Sequence, residues 1–142
     1  MATYNKFQDF VDQLGRAKHD LSAHVLKVAL TDTLPTADMV SRTDVALPPP
    51  TNVNGYAAGG STSAQTYSEA AGIAKLVLTD VVFTAAGGTL GPFRYPVLYN
   101  DSVVTPVDAL IAWWDYGQSI TLNDTETFTV DFDPTAGVLT FQ

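Results

Sequence analysis

Apolar residues recur at helical spacing only near the start of this chain. Phe7, Phe10, Val11 and Leu14 stand at i, i+3, i+4 and i+7, with Lys6, Gln8, Asp9, Asp12 and Gln13 filling the other face. The spacing predicts a helix over residues 3–15, with the Thr3 hydroxyl capping its start and Gly15 supplying its stop. A helix of about 12 residues is marginal alone, so its Phe-rich stripe must dock, on its own domain or on a neighbouring subunit.

After Gly15 the period changes to two. His24–Thr31 places Leu26, Val28 and Leu30 on one face and Val25, Lys27, Ala29 and Thr31 on the other. Leu34-Pro35-Thr36 begins a turn or short helix ending near Val40. Residues 43–68 hold Pro48-Pro49-Pro50, Asn54-Gly55 and Gly59-Gly60 among Thr and Ser, and are expected to form a long surface loop with edge-strand fragments at most. Ile73–Phe83 is a β-branched run with a bend expected at Thr79-Asp80. Turns are expected at residues 85–88 and at Gly91-Pro92. Phe93–Asn100 alternates, and Pro96 within it argues for an edge strand or a bulge. Ala109–Tyr116 and Thr127–Phe132 follow as strands. Asp133-Pro134-Thr135-Ala136-Gly137 reads as a hairpin turn, which would make Val138–Phe141 the partner of Thr127–Phe132. Six to eight short strands with regular turn signals predict a single mainly β domain over residues 1–142: an antiparallel sandwich, jelly-roll-like, or a barrel, with one short N-terminal helix.

Charge changes this picture. The net charge is −8, and it is lopsided: residues 76–142 carry Arg94 alone against eight acids. Affinity for phosphates rests on basic patches that release counterions, so neither nucleic acid nor an anionic membrane is an expected partner. Only 15% of residues are charged, against about 25% in an ordinary domain. There is no Cys, which excludes disulfides and thiolate–metal sites. The N-terminus lacks the apolar run of a signal peptide and no stretch approaches 18 apolar residues, so a soluble product made in a cytoplasm is expected.

Chemistry is sparse. His19 and His24 are the only side chains that titrate unaided near neutral pH, and no G-x-S-x-G, H-E-x-x-H or phosphate loop is present. A cap or strand-end histidine satisfied by backbone is the expected role of these two, ahead of a two-histidine metal site. Asp131 and Asp133 project from one face, as Asp124 and Glu126 do. That spacing could suit an adventitious Ca²⁺ or, more remotely, glycoside hydrolysis, but no EF-hand pattern is present and ordinary solvated turn acids are the expected role. No catalytic residue, cofactor or resident metal is expected, and the chain is read as a non-enzyme.

The aromatics say more. Adjacent strand residues face opposite ways, so Leu110, Ala112, Trp114 and Tyr116 are expected on one face, with Ile111, Trp113 and Asp115 on the other. A one-layer core takes one of these tryptophans. The other must be covered by the helix, by the 43–68 loop or by another subunit, or else offer a stacking surface to a sugar.

Several runs carry a resemblance. Gly91-Pro92-Phe93-Arg94-Tyr95-Pro96-Val97-Leu98-Tyr99-Asn100-Asp101, then Trp114-Asp115-Tyr116-Gly117 and Thr127-Phe128-Thr129-Val130-Asp131-Phe132, with Tyr4-Asn5-Lys6-Phe7 and Leu26-Lys27-Val28-Ala29-Leu30-Thr31, resemble a group of small structural proteins of tailed bacteriophages. The resemblance implies a non-enzymatic virion protein made in the host cytoplasm, and a capsid decoration or cement protein above all. Such a protein would bridge major capsid subunits on the head surface as a homo-oligomer, with a trimer expected. Phe7, Phe10, Val11, Leu14, Trp113, Trp114 and Tyr116 are the expected interface anchors, so Phe10→Asp is expected to spare the fold and weaken assembly. A neck, tail or fibre-attachment part, and a carbohydrate-binding module using Trp113 or Trp114, are the alternatives.

Overall fold

Most of the period-two runs become strands, and antiparallel pairing joins every one of them. The computed structural model describes residues 2–45 and 53–142; Pro48–Pro50 lie outside the described residues. The strands are β1 (Thr3–Lys6), β2 (Leu26–Thr31), β3 (Ser61–Ser63), β4 (Gln65–Ala70), β5 (Ile73–Leu78), β6 (Val81–Thr84), β7 (Leu90–Phe93), β8 (Tyr95–Val104), β9 (Val107–Asp115), β10 (Ile120–Leu122), β11 (Thr127–Val130) and β12 (Leu139–Phe141), with one helix, α1 (Gln8–Gly15). Five strands form one sheet in the order β1-β9-β8-β2-β3. Facing it are three smaller pairings, β10-β7, β11-β6 and β12-β5-β4. Between them lies the main core, which runs from Phe10 through Leu26, Val28, Leu30, Leu98, Ile111 and Phe83 to Leu139. The molecule is mainly β and sandwich-like.

The five-stranded sheet is covered on its outer face as well. Ala29, Tyr95, Val97, Tyr99, Leu110 and Trp113 point outward from β2, β8 and β9 and pack with Phe7 and Val45, beneath Ala37 and Met39. Backbone bonds hold the covering segment in place: Gln8 N–H donates to Ala37 C=O at 2.8 Å, and Leu110 N–H to Val40 C=O at 3.0 Å. The Arg42 guanidinium closes the layer, donating to Asp108 at 2.8 Å while lying 5.3 Å from the Tyr99 ring centre.

The N-terminus departs from the predicted helix. Residues 3–6 are strand, with Thr3 opposite Asp115 and Lys6 opposite Ala112, so Thr3 caps nothing. The helix starts at Gln8, after Phe7 in extended conformation, and Gly15 is its last residue rather than its stop. Pairing with β9 overrides the local helical period because it satisfies the backbone of the edge and carries Phe7 and Phe10 to different layers. Phe7 enters the outer core and Phe10 the main one.

Four further expectations change. The 43–68 loop ends early, because β3 and most of β4 are built from its polar residues. Gly91-Pro92 lies inside β7 rather than in a turn. Pro96 sits in β8, which is interior to the sheet; it is the second residue of that strand, where a missing N–H removes only a terminal rung. The turn at 133–137 closes with Gly137 N–H on Asp133 C=O at 3.0 Å, and Val138 N–H then reaches Leu76 C=O at 2.8 Å. β12 therefore pairs β5, not β11. The bend expected at Thr79-Asp80 does separate β5 from β6.

Candidate functional site

The expected anchors separate into buried and available groups. Phe7, Phe10 and Trp113 are 0%, 1% and 7% exposed, which removes them as surface anchors. The reason is that both sheet faces are covered by this chain itself: Trp113 lies against Phe7 with ring centres 4.4 Å apart, and Phe10 meets the His19 ring at 5.0 Å. Leu14 is partly buried against the main core. Val11 and Tyr116 remain open, at 52% and 45% exposure, and Trp114 is intermediate.

Trp114 and Tyr116 stand at one end of the sandwich, where the two layers part. Together with Ala2, Pro96 and residues 128–134 they line a cleft of about 670 Å³. Its rings meet edge to face. Trp114 touches Phe132 with centres 5.5 Å apart at 65°, and Tyr4 backs it at 5.7 Å. Tyr116 meets Phe128 at 5.5 Å and 81°, and Phe128 leans on Phe93 at 5.0 Å. The rings form ribs across the cleft rather than a flat platform.

The strand phase that puts Trp114 here depends on a bulge. Leu98 pairs Ala112 while Tyr99 pairs Leu110, leaving Ile111 as an extra residue in β9. Trp114 and Ala112 therefore share the inner face with Ile111, whereas Leu110 joins Trp113 outside. The expected alternation holds from residue 112 onward and breaks before it.

The rim is acidic. Asp131 is exposed, and Asp133 accepts N–H bonds from Ala136 at 2.8 Å and Thr135 at 2.7 Å, which hold its carboxyl below the usual range. Arg94 is committed to Asp115 through bonds of 2.7 and 2.9 Å, and its side-chain hydrogen bond keeps that carboxyl low as well. Asp133 thus spends one carboxylate oxygen, Oδ1, on its own turn. Among the described residues no group of three or more His, Cys, Asp or Glu side chains is placed to hold a metal.

Sequence reasoning missed a second polar cluster. Asn100, fully buried, brings His19 and His24 together, its amide nitrogen lying 3.1 Å from the Nδ1 of each ring. Ser102 N–H donates to the Asn100 Oδ1 at 3.1 Å, which fixes the amide so that its two N–H groups serve the two rings. The Nδ1 of each ring therefore faces an amide donor. Burial first, and then the neighbouring His24, push the His19 ring down to about 4, against an opposing pull from Asp9. A side-chain amide meets the Nδ1 of both histidines, with the Asp20 N–H also on that of His24 at 3.3 Å, while the buried His19 Nε2 has no hydrogen-bond partner among the described residues; nothing in the spacing of residues 19, 24 and 100 signals this cluster.

No family model matches this sequence, and neither a curated protein nor a solved structure matches it.

Proposed function

We propose that this chain is a non-enzymatic structural protein of a tailed-bacteriophage virion, a capsid decoration protein that fastens neighbouring major capsid subunits. One observation carries the reading. Three of the runs behind the resemblance, residues 91–101, 114–117 and 127–132, are far apart in sequence yet all contribute to the mouth cleft, through Pro96, Trp114 and Tyr116, and Phe128 to Phe132. An open aromatic cleft assembled from distant segments is the kind of surface that receives a partner rather than one that serves the core. Bound at many equivalent seams, a homo-oligomer of modest affinity adds up to a stiffened shell.

Co-sedimentation with empty capsid shells tests this. The purified chain is expected to pellet with shells to saturation, to decorate their outer surface in electron micrographs, and to run as a trimer in analytical ultracentrifugation. Copies confined to the portal vertex or tail would make it a neck, tail or fibre-attachment part instead. Failure to pellet, with glycan binding lost in Trp114→Ala, would make it a carbohydrate-binding module; Trp113, being buried, no longer serves that alternative.

A further inference from the structure

We infer that the mouth cleft accepts an extended, positively charged peptide arm of the capsid subunit, added as a strand along the open edge of β11. The inference rests on the docking reading above and names its occupant. Residues 128–134 line the cleft consecutively. Successive strand side chains point to opposite faces, so a consecutive run lines one space when the strand presents its edge to it.

The ladder shows which backbone groups that edge offers. β11 has one partner, β6, with Phe128 opposite Phe83 and Val130 opposite Val81. Ala85 N–H donates to Glu126 C=O at 2.9 Å, and Phe132 N–H turns to the Asp80 carboxylate at 2.9 Å. Antiparallel ladders alternate bonded and non-bonded pairs, so Glu126, Phe128 and Val130 turn their backbone to β6. Thr127, Thr129 and Asp131 turn theirs the other way, and all three are exposed. An arriving strand would find these N–H and C=O groups at the spacing it needs, and alternate side chains would drop between the ribs made by Trp114, Tyr116 and Phe128.

Charge selects the arm. Asp131 has no partner among the described residues, and Asp133 stays ionised in its turn. Of the nearby cations, Arg94 pairs Asp115, while Lys75 donates to the Thr135 carbonyl at 2.8 Å and its charge also reaches Asp133, which leaves Asp131 as the uncompensated acid of the rim. A lysine- or arginine-bearing arm is attracted to this edge and an acidic one repelled.

The test titrates the ¹⁵N-labelled protein with an alternating Val-Lys decapeptide and its Val-Glu counterpart, and repeats shell co-sedimentation with variants. The Val-Lys peptide is expected to move the amide signals of Thr127, Thr129 and Asp131, less so in high salt, while the Val-Glu peptide leaves them in place. Thr129→Pro removes one outward N–H that the fold does not use, and Asp131→Lys reverses the rim charge at an exposed position. Each should weaken peptide and shell binding at least tenfold with signal dispersion retained. If Thr129→Pro disturbs the fold, Asp131→Lys decides alone. Absent or misplaced shifts, or equal response to the two peptides, overturn the inference. Wild-type and variant chains that pellet equally overturn it while leaving the decoration reading intact; a wild type that takes the peptide but ignores shells overturns the decoration reading and, with it, the capsid subunit as the source of the arm.

Discussion

Lowering the pH from 7.5 to 5 should cost this protein up to about 2 kcal/mol through one imidazole. Asn100 donates to the His19 Nδ1, so the site is built for the neutral ring: a proton arriving on Nδ1 would face an N–H, within a position only 7% exposed. Two titratable neighbours face the ring. His24, on the same amide, opposes its charging, and Asp9, from α1, favours it; burial, the largest effect, acts with His24 against Asp9, and the folded value falls to about 4 from an ordinary 6.5. In the unfolded chain His19 takes its proton near 6.5. The unfolded state therefore binds more protons between these values, and stability is complete above about pH 6.5, declines as pH falls, and loses nothing further from this group below about 4. Asp20, Asp44, Asp115 and Asp133 have the opposite sign of shift, with folded carboxyls held low, so their contributions disappear only as pH falls below about 4. The two windows are distinct. Urea unfolding followed by tryptophan fluorescence should show wild type more stable than His19→Gln at pH 7.5, and that gap should shrink by about 2 kcal/mol at pH 5. A gap that stays constant between the two pH values would refute the assignment, whatever its size.

Three further outcomes follow from packing. Phe10→Asp should abolish cooperative unfolding in circular dichroism, because it places a carboxylate at a fully buried core position against His19; the sequence pattern alone led to the opposite expectation. Trp113→Ala should lower stability by about 3–5 kcal/mol by emptying the outer layer beside Phe7, whereas Tyr116→Ala should stay within about 1 kcal/mol, both read from urea midpoints. Gly60→Ala should cost about 3 kcal/mol or more and lower the melting temperature by several degrees, since φ is +83° and a Cβ would overlap the Val28 carbonyl oxygen and come within 2.7 Å of the Ala29 Cα. A melting temperature equal to wild type would show that the β2–β3 edge relaxes freely there.

The strands with an apolar face were legible because burial enforces their period. β2, β5, β6, β8, β9 and β11 all lie where alternation or a β-branched run places them, and the bend between β5 and β6 was visible as Thr79-Asp80. β3 and β4 were not, because Ser61–Ser63 and Gln65–Ala70 are polar and mostly exposed: what makes them strands is pairing with β2 and β5, not a hydrophobic face. β1 failed for a related reason. Its four residues carry little local preference, and the register with Trp113 and Trp114 is a long-range decision that a helical stripe beginning at Phe7 obscures.

The site was half legible, for a reason that lies in the sheet rather than in the tryptophans. Surplus aromatics in residues 110–116 promised one ring too many for a one-layer core, but the five-stranded sheet has a layer on each face: Trp113 is covered in the outer one, and Trp114 is partly covered where it lines the cleft. Two local devices make this possible. The Ile111 bulge inserts one residue and sets the phase that sends Trp113 outward and Trp114 inward. Tyr56, reaching up from the main core, accepts the Leu30 N–H at 3.0 Å where β3 has already ended, so β2 continues past its neighbour without an orphaned donor. Neither device has a periodicity, and each depends on residues more than ten positions from those it serves. At the mouth cleft Tyr116 stays open beside a β11 edge whose backbone groups are unspent among the described residues. Folding alone gives no reason to leave an aromatic cleft beside an unpaired edge, since one more strand or a charged side chain turned inward would close it. Under the proposal above, a strand from another polypeptide takes that place.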